Sequence, residues 1–136
     1  MKSNTRFSMA VHIMTALAYV KEQMSSEQLA NTVNTNPVVV RRILGALNRA
    51  GLVCAERGKA GGFSLARASK DISLLDIYRA MLAKQKLVNL HDNPQNRACA
   101  VSCKVRGVLS THLEQAQSVY ERELKKVVLA DIEKAM

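Results

Sequence analysis

Residues 34–65 read NTNPVVVRRILGALNRAGLVCAERGKAGGFSL, and their punctuation decides the fold. Thr35 or Asn36 can accept a hydrogen bond from the unpaired N–H groups of a first helical turn, and Pro37 suits the first helical position. Val40, Ile43, Leu44 and Leu47 then recur at helical spacing as one apolar stripe, with Arg41, Arg42, Asn48 and Arg49 largely off it. Gly51 supplies the left-handed residue that ends such a helix. A short hairpin follows, with strands over 52–56 and 63–66. Between them lies a basic, glycine-rich tip, Arg57-Gly58-Lys59-Ala60-Gly61-Gly62. An arginine-bearing helix followed by a basic hairpin is what a winged helix-turn-helix presents to double-stranded DNA.

Working outward, residues 5–22 form a first helix. Phe7, Ala10, Val11, Met14, Leu17 and Ala18 share a face, and Met9 and Ile13 widen it, as in a helix buried between neighbours. Met24-Ser25 interrupts it. Ser26 starts a short second helix over 27–33, with Leu29, Ala30 and Val33 inward. The polar turn Asn34-Thr35-Asn36 then gives helix-turn-helix spacing. Beyond the hairpin, 67–70 is a polar connector. Asp71 or Ser73 starts a helix whose apolar side holds Leu74, Leu75, Ile77, Tyr78, Met81 and Leu82.

Residues 84–104 have weak periodicity and carry Asn89, Asn93, Pro94 and Asn96, so most of this segment reads as a loop. At about twenty residues it is longer than a compact domain carries without a use. Residues 105–136 read as one long amphipathic helix. A helix of about 30 residues spans roughly 45 Å, more than so small a domain can cover. A second copy of the chain is the simplest cover, although the helix can also fold back on its own domain, and one helix can do both. The expected architecture is mainly α with a small β-hairpin wing. A winged helix-turn-helix domain occupies 1–83, a sensor or linker loop 84–104 and a dimerisation helix 105–136. Leu109, Leu113, Ala116, Tyr120 and Leu124 are the expected homodimer contacts.

Charge points the same way. The chain carries a net +9, and residues 1–68 hold +6 of it, from nine Lys/Arg against three Asp/Glu. An excess of that size favours a polyanion, nucleic acid before an anionic membrane surface. Residues at the start of a recognition helix reach the major groove, so Val38, Arg41 and Arg42 are placed for base edges. Arginine suits guanine O6 and N7, and Val38 a thymine methyl. Thr35 and Asn36 would bond phosphates, as would an N-terminal N–H at Ser26 and the amide of Gln28. In the wing, glycines beside Arg57 and Lys59 allow a close approach to the duplex.

The order of these pieces resembles the Rrf2 family of bacterial transcription regulators. The likeness spans nearly the whole chain. It is sharpest in the wing, RGKAGGFSL from Arg57, and in the helix start ISLLDIYRA from Ile72. The resemblance implies a dimeric winged-helix DNA binder whose long C-terminal helices cross at the dimer interface, with the arginine at position 57 in the minor groove. In some members three cysteines in the loop before that helix hold an iron–sulfur cluster. Others use reactive cysteines without one.

Here that loop, 91–103, holds two cysteines, Cys99 and Cys103, while Cys54 lies in the wing strand. A cluster normally takes four ligands, mostly cysteine, so the pattern disfavours it. A zinc site of His91, Cys99, Cys103 and His112 fits no usual spacing. If Cys99 opens the long helix, the positive helix end with Arg97 and Lys104 would favour an oxidant-sensitive thiolate. Cys103, one turn on, could resolve it as a disulfide. Cys54 is expected to pack in the core or to meet a partner's cysteine. Small buried hydrophobes remain the plain alternative for Cys99 and Cys103.

Three sparse cysteines argue against a secreted disulfide scaffold. The apolar run 9–20 is broken by His12 and Thr15 and followed by Lys21-Glu22, so it is neither a signal sequence nor a membrane span. A cytoplasmic protein is expected. An enzyme is disfavoured: the chain has no Ser/His/Asp order and no paired carboxylates. Gly58, Gly61 and Gly62 lead into a strand where a dinucleotide fingerprint needs a helix. The reading is therefore a dimeric DNA-binding regulator, a repressor at a palindromic operator, switched by thiol oxidation or a small ligand. The alternative is a winged-helix module that binds protein or RNA.

Overall fold

The computed structural model describes residues 5–59, 61–82 and 85–136. Ala60 of the expected wing tip, and the expected boundary at 83/84, lie outside them. Helices α1 (Thr5–Val20), α2 (Ser26–Val33), α3 (Pro37–Arg49) and α4 (Leu74–Leu82) enclose the core with a hairpin of β1 (Val53–Glu56) and β2 (Gly62–Leu65). Two further helices follow, α5 (Ala100–Lys126) and α6 (Leu129–Lys134). The architecture is a winged helix-turn-helix with a long helix appended.

Local chemistry sets most boundaries. α1 is buried on a broad face through Ala10, Ile13, Met14, Leu17 and Ala18. It stops at Val20, two residues before the expected end, where Lys21 turns left-handed at φ 62°. α2 is opened by Ser25. The Gln28 N–H donates to Ser25 Oγ at 3.1 Å, and the Ser25 N–H donates to Gln28 Oε1 at 2.8 Å. Asn34 takes the left-handed turn at φ 61°. Asn36 then caps α3, accepting from the Val38 N–H at 2.8 Å, with Pro37 in the first turn.

Val40, Ile43, Leu44 and Leu47 of α3 are all buried. The helix ends as expected at Gly51, whose φ is +74°. The Leu52 N–H returns to the Leu47 carbonyl at 2.9 Å and the Gly51 N–H to Asn48 at 3.0 Å, with Leu47 and Leu52 packed inside the bend. The antiparallel hairpin pairs Val53 with Leu65 and Glu56 with Gly62. Its second strand also bridges the α1–α2 link, with Met24 and Phe63 exchanging N–H···O bonds of 3.0 and 2.8 Å. A methyl group on Gly62 would stand 2.9 Å from the Met24 carbonyl oxygen, so this contact needs glycine.

The C-terminal region departs from expectation. The long helix begins at Ala100, five residues early, and ends at Lys126. Val127 and Val128 are extended. The Leu74 N–H donates to the Val127 carbonyl at 2.9 Å and the Leu129 N–H to the Ile72 carbonyl at 2.8 Å. α6 then packs on α1 and buries Leu129 completely. The apolar pair Val127-Val128 continues the helical period, so local sequence could not reveal the break. Pairing with the distant 72–74 strip decides it.

The return of the chain end is testable. Leu129→Ala is expected to lower the unfolding free energy by about 3 kcal/mol in urea titrations. A loss below about 0.5 kcal/mol would mean that α6 is undocked in solution.

Candidate nucleic-acid interface

Because the apolar stripe of α3 is buried, its opposite face is outward. Val38, Arg41 and Arg42 are exposed there, as is the cap Asn36; Thr35 is half-buried. Arg57 and Lys59 are exposed at the wing, where Gly58 adopts φ +107°. Among the described residues, Arg42, Arg57 and Lys59 have no carboxylate within 4.0 Å. Their charge is therefore available to an external anion. Arg41 differs, since its Nη2 donates to Glu27 Oε1 of α2 at 3.2 Å.

Two expected phosphate contacts change character. Ser26 is only 8% exposed, so its side chain sits inside while Ser25 makes the cap. Gln28 is exposed, but its amide oxygen is committed to the Ser25 N–H. The Ser-x-x-Gln pattern of a capping box was visible at 25–28 and would have located the helix start correctly. Glu27 carries no local sequence signal of a role, because its partner lies fourteen positions away on α3. Its carboxyl is held below the usual carboxylate range, first by its own backbone N–H and next by Arg41.

On the far side, the expected dimer contacts divide. Tyr120 and Leu124 pack against their own core, and Tyr120 meets Tyr78 edge-to-face at 5.5 Å. They are an intrachain seam. Tyr78 in turn meets Phe7 of α1 at 5.6 Å. Gln117, unnoticed in the sequence, ties three segments together. Its Nε2 donates to Tyr78 Oη at 3.2 Å and Glu121 at 3.1 Å, and its Oε1 accepts from the Leu87 N–H at 2.9 Å. Leu113 is half-buried and Ala116 exposed, and both line a cavity of about 210 Å³ with Leu87, Val88 and Leu90. Leu109 is exposed. No residue of α5 is fully buried. Its bare face carries Val101, Val105, Val108 and Val119, of which Val101 and Val108 are 68% and 61% exposed.

Cys99 is the N-cap residue of α5 and half-buried; Cys103 is exposed one turn on, its N–H on the Cys99 carbonyl at 3.2 Å. The Cys103 thiol lies 3.6 Å from the Asn96 carbonyl oxygen. Cys54 is exposed on β1, which corrects its expected place in the core. Only Val53 of β1 is buried; the strand leaves the core after it, and Cys54 pairs with Ser64 on the exposed hairpin.

The sequence model of the Rrf2 family, described as an iron-dependent transcriptional regulator, matches residues 3–135. The chain belongs to the Rrf2 family. It is similar to YwnA of Bacillus subtilis, named as an HTH-type transcriptional regulator, with 39% identity covering 95% of each chain. A solved structure described as that of a DNA-binding protein superposes with a TM-score of 0.76 at 35% identity, covering 94% of this chain and 98% of that one. The fold is shared with IscR of T. potens, at a TM-score of 0.73 and 24% identity over 99% of this chain and 88% of that one. These relatives are regulators and not enzymes, and Rrf2 regulators bind DNA. Among the described residues, no helix is long and apolar enough to cross a membrane.

Iron in the family description raises the question of a metal site. The donor set of this chain does not suit an iron–sulfur cluster. Cys99 and Cys103 are the only thiols beside α5, and Cys54 is in the hairpin. Among the described residues, no three His, Cys, Asp or Glu side chains converge on a metal position. His91 and His112 complete no such group.

The Glu27–Arg41 pair should respond to pH with a defined sign. Because the Glu27 carboxyl is lowered in the fold, the pair is complete at neutral pH and is lost as pH falls through and below the usual carboxylate range. Side-chain NMR titration of Glu27 should show a midpoint below that of a free glutamate, and Arg41→Ala should move it upward.

Proposed function

We propose that this Rrf2 regulator acts as a symmetric homodimer that grips a palindromic operator and represses by occluding the duplex. The observation that carries the dimer is α5: a helix of 27 residues with no buried side chain and a bare row of valines. Water-exposed rows of large aliphatics call for a cover, and a two-fold axis lets one row cover its own copy. Val101, Val105, Val108 and Val119 are the contacts, together with Leu109. They replace Tyr120 and Leu124, which their own domain occupies.

Each protomer then offers one reading head. Val38, Arg41 and Arg42 enter the major groove, Thr35 and Asn36 lie against phosphates, and Arg57 and Lys59 reach the adjacent minor groove. A two-fold pair reads two half-sites about 34 Å apart, one turn of DNA. Neutralised phosphates make the affinity fall steeply with salt. A protein-binding module does not call for unpaired cations at both helix and wing, and an RNA-binding one predicts that Arg41→Ala and Arg57→Ala leave duplex DNA binding unchanged.

The signal acts at Cys99 and Cys103. The Cys99 thiolate attacks hydrogen peroxide, the O–O bond breaks, and a sulfenic acid and hydroxide form. The Cys103 thiol then attacks that sulfur and water leaves. Two thiols become one disulfide as hydrogen peroxide becomes two waters. Helix positions four apart keep their Cβ atoms about 5–6 Å apart, whereas a disulfide draws them to roughly 4 Å. The first turn of α5 must therefore distort, and Val101 and Val105 stand on that turn and the next.

Two measurements decide these points. The double variant Val105→Glu/Val108→Glu should sediment as a monomer and lose at least about 100-fold in affinity for a duplex that the wild type selects from a random pool, because the two half-sites are no longer gripped together. A dimer of full affinity would place the interface elsewhere. Peroxide should consume two thiols per chain and weaken binding in the wild type, and leave binding unchanged in Cys103→Ser; equal weakening in that variant removes the disulfide from the mechanism.

A further inference from the structure

We propose that Glu27 is a positioning residue for DNA reading, which orients Arg41 from α2 and withholds it from phosphates. The inference rests on Arg41 being a base contact. Its own evidence is the placement of the pair. Arg41 projects from the outward face of α3, and Glu27 from the first turn of the neighbouring helix, with 3.2 Å between Arg41 Nη2 and Glu27 Oε1. Among the described residues, the other cations of the reading surface, Arg42, Arg57 and Lys59, lack a carboxylate partner.

A carboxylate on a surface built to meet a polyanion opposes binding unless it does something there. As a simple surface ion pair it would add little to stability, since both groups are largely exposed. Its effect on recognition is larger. An arginine has five donors in a rigid fork and a long flexible stem. Committing one terminal nitrogen to Glu27 leaves the rest of the fork free and restricts its direction. The side chain then meets guanine O6 and N7 already aimed, with less rotamer freedom to lose.

The carboxylate also competes with phosphate twice. It neutralises Arg41 in the free protein, and it stands at the positive start of α2, where a backbone phosphate would otherwise dock. Random-sequence DNA supplies phosphates everywhere but offers a guanine edge in the right place only at a matching site. A glutamate at this position therefore subtracts from non-specific binding more than from specific binding. Glutamine keeps the shape and an acceptor oxygen without the charge, so it separates aiming from repulsion.

The test is selection of duplexes from a random pool by wild type, Glu27→Ala, Glu27→Gln and Arg41→Ala, with base preference read position by position. Helical circular dichroism and thermal melting check that each variant folds. Glu27→Ala should flatten the same base position that Arg41→Ala flattens, by at least about fivefold in preference, the lower end of what a bidentate contact supplies. It should also bind an unselected duplex more tightly, with a log-affinity against log-salt slope steeper by about 0.9, as one more cation meets phosphate. Glu27→Gln should show the tighter unselected binding with a smaller loss of preference. If Arg41→Ala flattens a position that Glu27→Ala leaves intact, the positioning role is overturned and the reading of Arg41 survives. If Arg41→Ala changes neither preference nor affinity, both fall together.

Discussion

The burial of one helical stripe governs this molecule. Val40, Ile43, Leu44 and Leu47 lie under α1, α2 and α4, each hidden from water. Full burial of an aliphatic side chain is worth about 1.5–3 kcal/mol, so the stripe holds α3 in one rotation with roughly 6–12 kcal/mol. A turn of the helix about its axis would bring Arg41 or Arg42 inside and strand a charge. The recognition face is thus the complement of a packing requirement. Asn36 and Gly51 fix where the helix starts and stops, and so which residues lie in its first turn.

The wing is positioned by the same economy of means. Two strands of four residues make a weak sheet alone, and the Met24–Phe63 bridge adds a third segment to it. That bridge ties the hairpin to the loop between α1 and α2. Helix and wing are consequently tied to the same α1–α2 link. Glu27 follows that link, which is why a residue of α2 can aim one of α3.

α5 follows a different rule. One face is held by Leu124, Tyr120 and Gln117 against α4, and its end is anchored by the pairing of residues 72–74 with 127–129. Among the described residues, the valines of the opposite face meet no core. The helix is thus fixed to its own domain along one side and at one end, with exposed aliphatic residues on the other side. Cys99 and Cys103 stand at the start of that helix, and two thiols are too few for an iron–sulfur cluster.

The helix-turn-helix, the wing, the excess of positive charge at the reading head and the cysteine pair were legible from residues alone. Each rests on local signals: caps, a Pro-to-Gly helix frame, a 3.6-residue period and a glycine-rich turn. The family likeness rested on the same segments. What the sequence could not decide were matters between distant residues. Whether Val127-Val128 continues a helix depends on an extended strip some fifty-five residues earlier. Whether Tyr120 and Leu124 face a partner or their own core depends on where α4 lies. Whether Arg41 is free depends on Glu27, fourteen positions away on another helix. Periodicity shows that a helix has an apolar face, but only the packing of the whole chain shows what that face meets, because burial is a property of neighbours in space and not of neighbours in sequence.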